Sequence, residues 1–207
     1  LMRKTYNFSK KLITTYKNRL FNFVLPNRIN LLRNRIVFSN FPVFNQITLC
    51  EGEGIVNIGK GCAFGYKLGG FHRFGSIELQ SRYSRSSIKI GDHVSTNNNI
   101  MICAANYIEI GNNTLIGQNV TIMDHEAHGI SAFKRRELGE IGKVIIGTNV
   151  WIGNNVTVLK NTKIGYNTII ATGAVVSGEF PENVIIGGVP AKICLLYTSD
   201  AADELRS

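Results

Sequence analysis

Residues 146–176 read IGTNVWIGNNVTVLKNTKIGYNTIIATGAVV. Ile146, Ile152, Val158, Ile164, Ile170 and Val176 stand six positions apart, and Val150, Val156, Thr162, Thr168 and Ala174 follow four residues behind the first five. A period of six matches neither a helix nor a simple alternating strand. It fits short parallel strands joined by tight corners, with each hexad forming one face of a coil and three hexads closing one turn of a triangular prism. The aliphatic side chains then point inward, each stacked on its counterpart one coil earlier. Burying each contributes roughly 1.5–3 kcal/mol before entropy is counted. Gly and Asn tolerate the tight corners. No hexad can bury its own face alone, so the unit is stable only when stacked.

The pattern extends toward the N-terminus. Ile110-Gly111, Ile116-Gly117 and Ile122 keep the period, and from Ile88 onward so do Ile90-Gly91, Thr96 and Ile102, with a two-residue shift between the two runs. Ile55, Ile58-Gly59 and Phe64-Gly65 start a looser repeat, interrupted by residues 67–86, which read as a loop or degenerate coils. A second interruption, DHEAHGISAFKRRELGEIGK at 124–143, leaves an otherwise regular solenoid. Long excursions from a rigid scaffold are usually functional or disordered, and this one carries two of the four His residues, which favours function. Phe180-Pro181 through Val189-Pro190 closes the last coil. The stretch 194–207 (CLLYTSDAADELRS) loses all periodicity and is expected to be a non-native tail.

The net charge of +9 is uneven. Residues 1–35 hold nine Lys or Arg and no acid, which leaves fourteen of each sign in the remainder. Residues 7–25 are expected to form a basic amphipathic helix, capped by Ser9, striped by Leu12, Ile13, Tyr16, Leu20, Phe21 and Val24, and stopped by Pro26. The stripe either covers the open end of the prism or meets an anionic membrane surface or a lipid-linked acceptor. Nucleic acid is not expected, because no binding motif accompanies the charge. Cys50, Cys62, Cys103 and Cys194 lie far apart, so no disulfide framework is expected, and Cys62 falls at an inward position. A reducing, cytoplasmic setting fits that cysteine usage. No apolar run is long enough to span a bilayer.

Two residue types stand out for chemistry. His125, in Asp124-His125-Glu126-Ala127-His128, is of the type most often used to take a proton from a hydroxyl. Asp124 can hold a His ring by a hydrogen bond, although adjacent side chains often point apart. Trp151, the only Trp, follows the inward Val150, so alternation turns it outward. An exposed Trp calls for a cover, either a neighbouring subunit or a ligand.

The hexads resemble those of the hexapeptide-repeat acyltransferases, and the His loop together with Asn149-Val150-Trp151-Ile152-Gly153-Asn154 is most similar to the sugar and polysaccharide O-acetyltransferases. The resemblance covers roughly residues 50–193. It implies an all-β, left-handed parallel β-helix, although parallel crossovers are usually right-handed. The charge boundary sets off a basic helical segment (1–35), outside the resemblance, from an acyltransferase domain (36–193) with its loop at 124–143. The resemblance further implies a homotrimer with active sites between subunits, acetyl-coenzyme A as co-substrate, a saccharide acceptor and no metal. By the same resemblance His125 is the general base and His128 a second acceptor-side His. Asn99, in Asn97-Asn98-Asn99-Ile100, contacts the acceptor, although corner chemistry alone makes it a turn residue. Trp151 lies against pantetheine, and Gly153 and Asn154 line the donor site, with the Asn154 backbone N–H near the thioester oxygen. Thr172, Ser177 and Lys192 line the coenzyme A groove. The chain departs from the family at Gly178, where many relatives carry Lys. Three alternatives share the fold. Serine or antibiotic acetyltransferases are the nearest. A γ-class carbonic anhydrase would need three His ligands, from His93, His125 and His128, at a spacing that does not suit it. A non-catalytic solenoid remains open because fold alone does not decide function.

Overall fold

A computed structural model describes residues 12–196. The chain winds as a left-handed parallel β-helix with three faces. The first face includes strands Ile36–Phe38, Tyr107–Ile110 and Lys143–Ile146. The second includes Ala63–Phe64, Leu115–Ile116 and Trp151–Ile152. The third runs from Thr48–Glu51 through Ile77–Ser81, Ile100–Ala104 and Thr121–Met123 to Thr157–Val158 and Val175–Val176.

The register is the one that the hexads predict. Ile146 pairs with Ile164, Ile152 with Ile170 and Val158 with Val176, all buried in one continuous core. The two-residue shift also has a cause. The third-face strand Ile100–Ala104 spans five residues where Val175–Val176 spans two, so that coil is wider. Corners are built from Asn in the left-handed region, among them Asn99, Asn119, Asn149, Asn155 and Asn167. Their amides form ladders along the prism: Asn99 Nδ2 donates to Asn119 Oδ1 and Asn119 Nδ2 to Asn155 Oδ1, each at 2.8 Å. Glycine is required elsewhere for close approach. A Cβ on Gly111 would lie 2.4 Å from the Gly147 carbonyl carbon.

The helical segment departs from expectation. It does not stop at Pro26 but continues to Leu32. Pro26 lacks an N–H and would crowd a regular preceding turn. Here the preceding turn, Leu20–Val24, is a wide π-helical one, with the Leu25 N–H bonded to the Leu20 carbonyl, and Pro26 falls in the first turn of Leu25–Leu32. The helix does cover the open end of the prism, but not with the expected stripe. Phe23 is fully buried and stacks on Phe44 at 4.0 Å between centroids, and Phe44 stacks on Phe64. Asn27 donates to the Thr48 carbonyl and accepts from the Cys50 N–H, while Asn30 donates to the Cys50 carbonyl. These amides satisfy the free edge of the first third-face strand, which would otherwise expose unpaired backbone groups. Leu12, Ile13, Tyr16, Leu20 and Phe21 remain exposed, and of the expected stripe Val24 packs against the core. Expectations for residues 1–11, including the Ser9 cap, lie outside the described residues.

At the other end, Ala191–Leu196 folds back antiparallel on Val184–Gly188, so residues 194–196 take part in the sheet. The rest of the expected tail, from residue 197, lies outside the described residues. No described helix is long and apolar enough to cross a membrane.

Candidate active site

The 124–143 loop leaves the corner between the third and first faces and is held as a hairpin at its base. The Glu126 N–H donates to the Glu140 carbonyl, the Gly139 N–H to the Glu126 carbonyl and the Gly142 N–H to the Asp124 carbonyl. Lys160 reinforces the base by reaching Glu140 at 2.6 Å and Glu126 at 3.4 Å. The tip is exposed, with Phe133 at 98%.

Asp124 and His125 sit at the root of this hairpin, both buried. Asp124 Oδ1 accepts from the Ala105 N–H at 2.7 Å, and Oδ2 from the Asn106 and Tyr107 N–H groups at 2.8 and 2.7 Å. The three donors come from the turn one coil earlier. They anchor the carboxylate, and His125 Nδ1 lies 2.9 Å from Asp124 Oδ1. Adjacent residues on a strand point to opposite faces. This strand ends at Met123, and the corner that follows brings the two side chains together. Because a carboxylate accepts, Nδ1 carries the proton and Nε2 offers its lone pair.

A residue not singled out from the sequence completes the cluster. Arg82 Nη1 lies 3.2 Å from His125 Nε2, and Arg82 Nε and Nη2 both reach Gln80 Oε1, at 3.3 and 3.2 Å. Register explains the meeting. Ser81 pairs with Ala104 and Met123 with Cys103, so Arg82 and His125 occupy coils on either side of the small Ala104-Ala105. Alternation along Ile77–Ser81 turns Arg82 outward, but the interruption at 67–86 hid which later coil it faces. The neighbouring Cys103 thiol is pushed up chiefly by burial, and burial with a hydrogen bond to Glu109 raises the Tyr107 hydroxyl to about 12. Both groups therefore stay protonated near neutrality.

The residues expected at the donor site gather elsewhere. Trp151, 55% exposed, lines a groove of about 410 Å³ on the second face with Tyr66, Asn97, Leu115, Gly117 and Asn154. Gly153, Asn154 and Thr172 meet at the corner between the second and third faces, where a Cβ on Gly153 would lie 2.7 Å from the Thr172 nitrogen. In earlier coils the matching corner N–H often has a side-chain acceptor, as Tyr66 has Asn98 and Gln118 has Asn154. Thr172 stands in the next coil after Asn154, and the Asn154 N–H finds no such acceptor among the described residues. Lys192 is exposed on the closing strand. Ser177, also exposed, follows Val175–Val176 on the His125 side of the third face.

The structure does not place Asn99 beside His125. Asn99 opens the strand Ile100–Ala104 at the opposite edge of the third face, about 20 Å away at ~3.3 Å per residue. Its amide is engaged in the corner ladder. His128 is exposed on the loop, apart from the Asp124–His125 pair, and His93 lies at the corner between the first and second faces. No group of three His, Cys, Asp or Glu among the described residues is arranged to hold a metal.

A three-faced parallel coil interrupted by one loop, with a carboxylate-held His at its root, is the architecture of a hexapeptide-repeat transferase. Residues 143–178 match the family model for the bacterial transferase hexapeptide (six repeats). Over 183 residues, 83% of this chain and 87% of the relative, the chain is 31% identical to "Putative lipopolysaccharide biosynthesis O-acetyl transferase WbbJ" of Escherichia coli (strain K12). It is 36% identical to the galactoside O-acetyltransferase of the same strain over 112 residues, about half of each chain. Among solved structures, a galactoside acetyltransferase in complex with coenzyme A has the same fold, with TM-score 0.54, 23% identity and 93% of this chain and 80% of that one covered. So does the polysialic acid O-acetyltransferase OatWY, with TM-score 0.51, 22% identity and 82% and 92% covered. The chain belongs to the hexapeptide-repeat acetyltransferase family.

Proposed function

We propose that this chain transfers an acetyl group from acetyl-coenzyme A to a hydroxyl of a saccharide, with His125 as general base. The Asp124–His125 pair carries the reading, since it fixes Nδ1–H and presents Nε2 at the root of the loop. Nε2 takes the acceptor's hydroxyl proton as the oxygen attacks the thioester carbonyl. The tetrahedral oxyanion meets a backbone N–H, for which the unpaired Asn154 amide is the candidate. The C–S bond then breaks, and the imidazolium returns its proton to the departing sulfur. No acyl-enzyme is required.

One chain cannot hold this site alone. His125 lies at the corner opposite the second face, where Trp151 stands. A trimer whose subunits pack prism against prism would bring one subunit's His125 to its neighbour's Trp151, Asn154 and Thr172. Contact between the acceptor and Asn99 likewise requires the neighbour. The relatives named for lipopolysaccharide, galactoside and polysialic acid support a saccharide acceptor. Calorimetry with acetyl-coenzyme A tests the donor half. Trp151→Ala should bind about tenfold more weakly, ~1.4 kcal/mol, within the range for a lost aromatic contact. Unchanged affinity would remove Trp151 from the donor site.

We also propose that the helical segment rests on an anionic membrane surface. Leu12, Ile13, Tyr16, Leu20 and Phe21 are exposed on a segment whose charges are all basic, the combination that binds interfaces. The protein should cosediment with vesicles containing phosphatidylglycerol, and Ile13→Glu with Phe21→Glu should abolish this. Equal sedimentation with purely zwitterionic vesicles, or none with either, would refute the attachment.

A further inference from the structure

We propose that Arg82 forms an anion-binding subsite beside His125 and selects acceptors bearing a carboxylate or phosphate next to the reacting hydroxyl. The inference rests on the acetyl-transfer reading above and extends it to the class of saccharide.

Arg82 is half-buried, and three of the five N–H groups that a guanidinium carries are engaged, all with neutral acceptors: one with His125 Nε2 and two with Gln80 Oε1. Among the described residues no carboxylate forms an ion pair with it. The acids nearby are occupied. Asp124 is saturated by three backbone N–H groups and the His125 ring. Glu78 reaches Arg82 only through Gln80, whose Nε2 donates to Glu78 Oε2 at 2.7 Å and whose Oε1 is thereby turned toward the guanidinium. A half-buried cation without a counter-ion is costly, and a planar fork favours a carboxylate or phosphate over a neutral nitrogen.

The position of Arg82 turns this into a selection device. Its Nη1 occupies the lone pair of Nε2, the atom that must accept the acceptor's proton. A neutral acceptor has to displace the guanidinium and offers it nothing in exchange. An acceptor with an anion beside its hydroxyl draws the fork to that anion and frees Nε2 in the same movement. Gln80 keeps the guanidinium at the corner while its terminal nitrogens turn. The side chain is long enough to do so because only Ala104-Ala105 stands between the two coils.

The test compares kcat/KM for matched acceptors: methyl glucuronide against methyl glucoside, and glucose 1-phosphate against glucose. Wild type should favour the anionic member of a pair by about ten- to a hundredfold, and the pair that shows it identifies carboxylate or phosphate. Arg82→Gln should bring the ratio close to one, and Arg82→Lys should restore part of it. An anionic preference that survives Arg82→Gln, with both rates lowered equally, would mean that Arg82 only orients His125 and would overturn the proposal. Transfer by wild type without an anionic preference would overturn it too, while the acetyl-transfer reading stood. No transfer to any acceptor, from protein that also fails to bind acetyl-coenzyme A, would defeat that reading and the subsite with it.

Discussion

His125→Ala should lower acetyl transfer by about 10²–10⁴-fold, the usual contribution of a positioned general base, while leaving acetyl-coenzyme A affinity unchanged. Neither the Tyr107 hydroxyl nor the Cys103 thiol can substitute, because both are held protonated. Steady-state rates and calorimetry on the same variant separate the two effects. The variant also probes assembly. His125 and Trp151 lie on opposite sides of one prism, so a shared site takes one from each of two subunits. Chains carrying only His125→Ala and chains carrying only Trp151→Ala, mixed equally and reassembled, should recover about a quarter of the sites intact if each site draws on two subunits. A His125→Ala enzyme that keeps its full rate would end the assignment. A mixture that gains nothing over its components would mean that His125 and Trp151 do not share a site across subunits.

The hexads were legible because a buried aliphatic every six residues has few structural solutions. Ile146, Ile152 and Val158 stack on Ile164, Ile170 and Val176 as the period requires. Trp151 was legible for the same reason, since alternation next to an inward Val150 leaves it only the outside. Local rules failed where tertiary context competes with them. Pro26 should end a helix, but a π-turn placed before it removes the crowding. The stripe from Leu12 to Phe21 looked like the face that seals the prism, yet the seal is made by Phe23 with Asn27 and Asn30. Those amides complete an open strand edge, a demand that hydrophobic periodicity does not report. Arg82 was invisible because its partner is two coils away, and a coil count through irregular residues loses register. Asn99 shows the opposite hazard. Corner chemistry alone made it a turn residue, and within one chain the geometry agrees, with its amide engaged in the corner ladder.

Asp124→Asn should abolish activity nearly as fully as loss of the base, and should do so through the proton's position rather than through the fold. Asp124 accepts four hydrogen bonds: Oδ1 from the Ala105 N–H and His125 Nδ1, and Oδ2 from the Asn106 and Tyr107 N–H groups. An amide NH₂ at the Oδ2 position would face two backbone donors. At the Oδ1 position it faces one, and there it donates to Nδ1, so the NH₂ settles at Oδ1. The Ala105 N–H is left unpaired, costing about 1–3 kcal/mol. More important, an imidazole whose Nδ1 accepts carries its proton on Nε2, so the nitrogen facing the acceptor can no longer take one. Transfer should fall by about 10²–10⁴-fold in folded protein that still binds acetyl-coenzyme A, and ¹⁵N imidazole shifts should report the reversed tautomer. Asp124→Ala should behave differently. With all three backbone donors orphaned it loses about 3 kcal/mol or more, and the root of the loop loosens with the site. Full activity in Asp124→Asn would show that the ring does not depend on this carboxylate for its tautomer. An inactive Asp124→Asn whose tautomer is unchanged would make Asp124 a scaffold for the 105–107 turn, with no part in directing the proton.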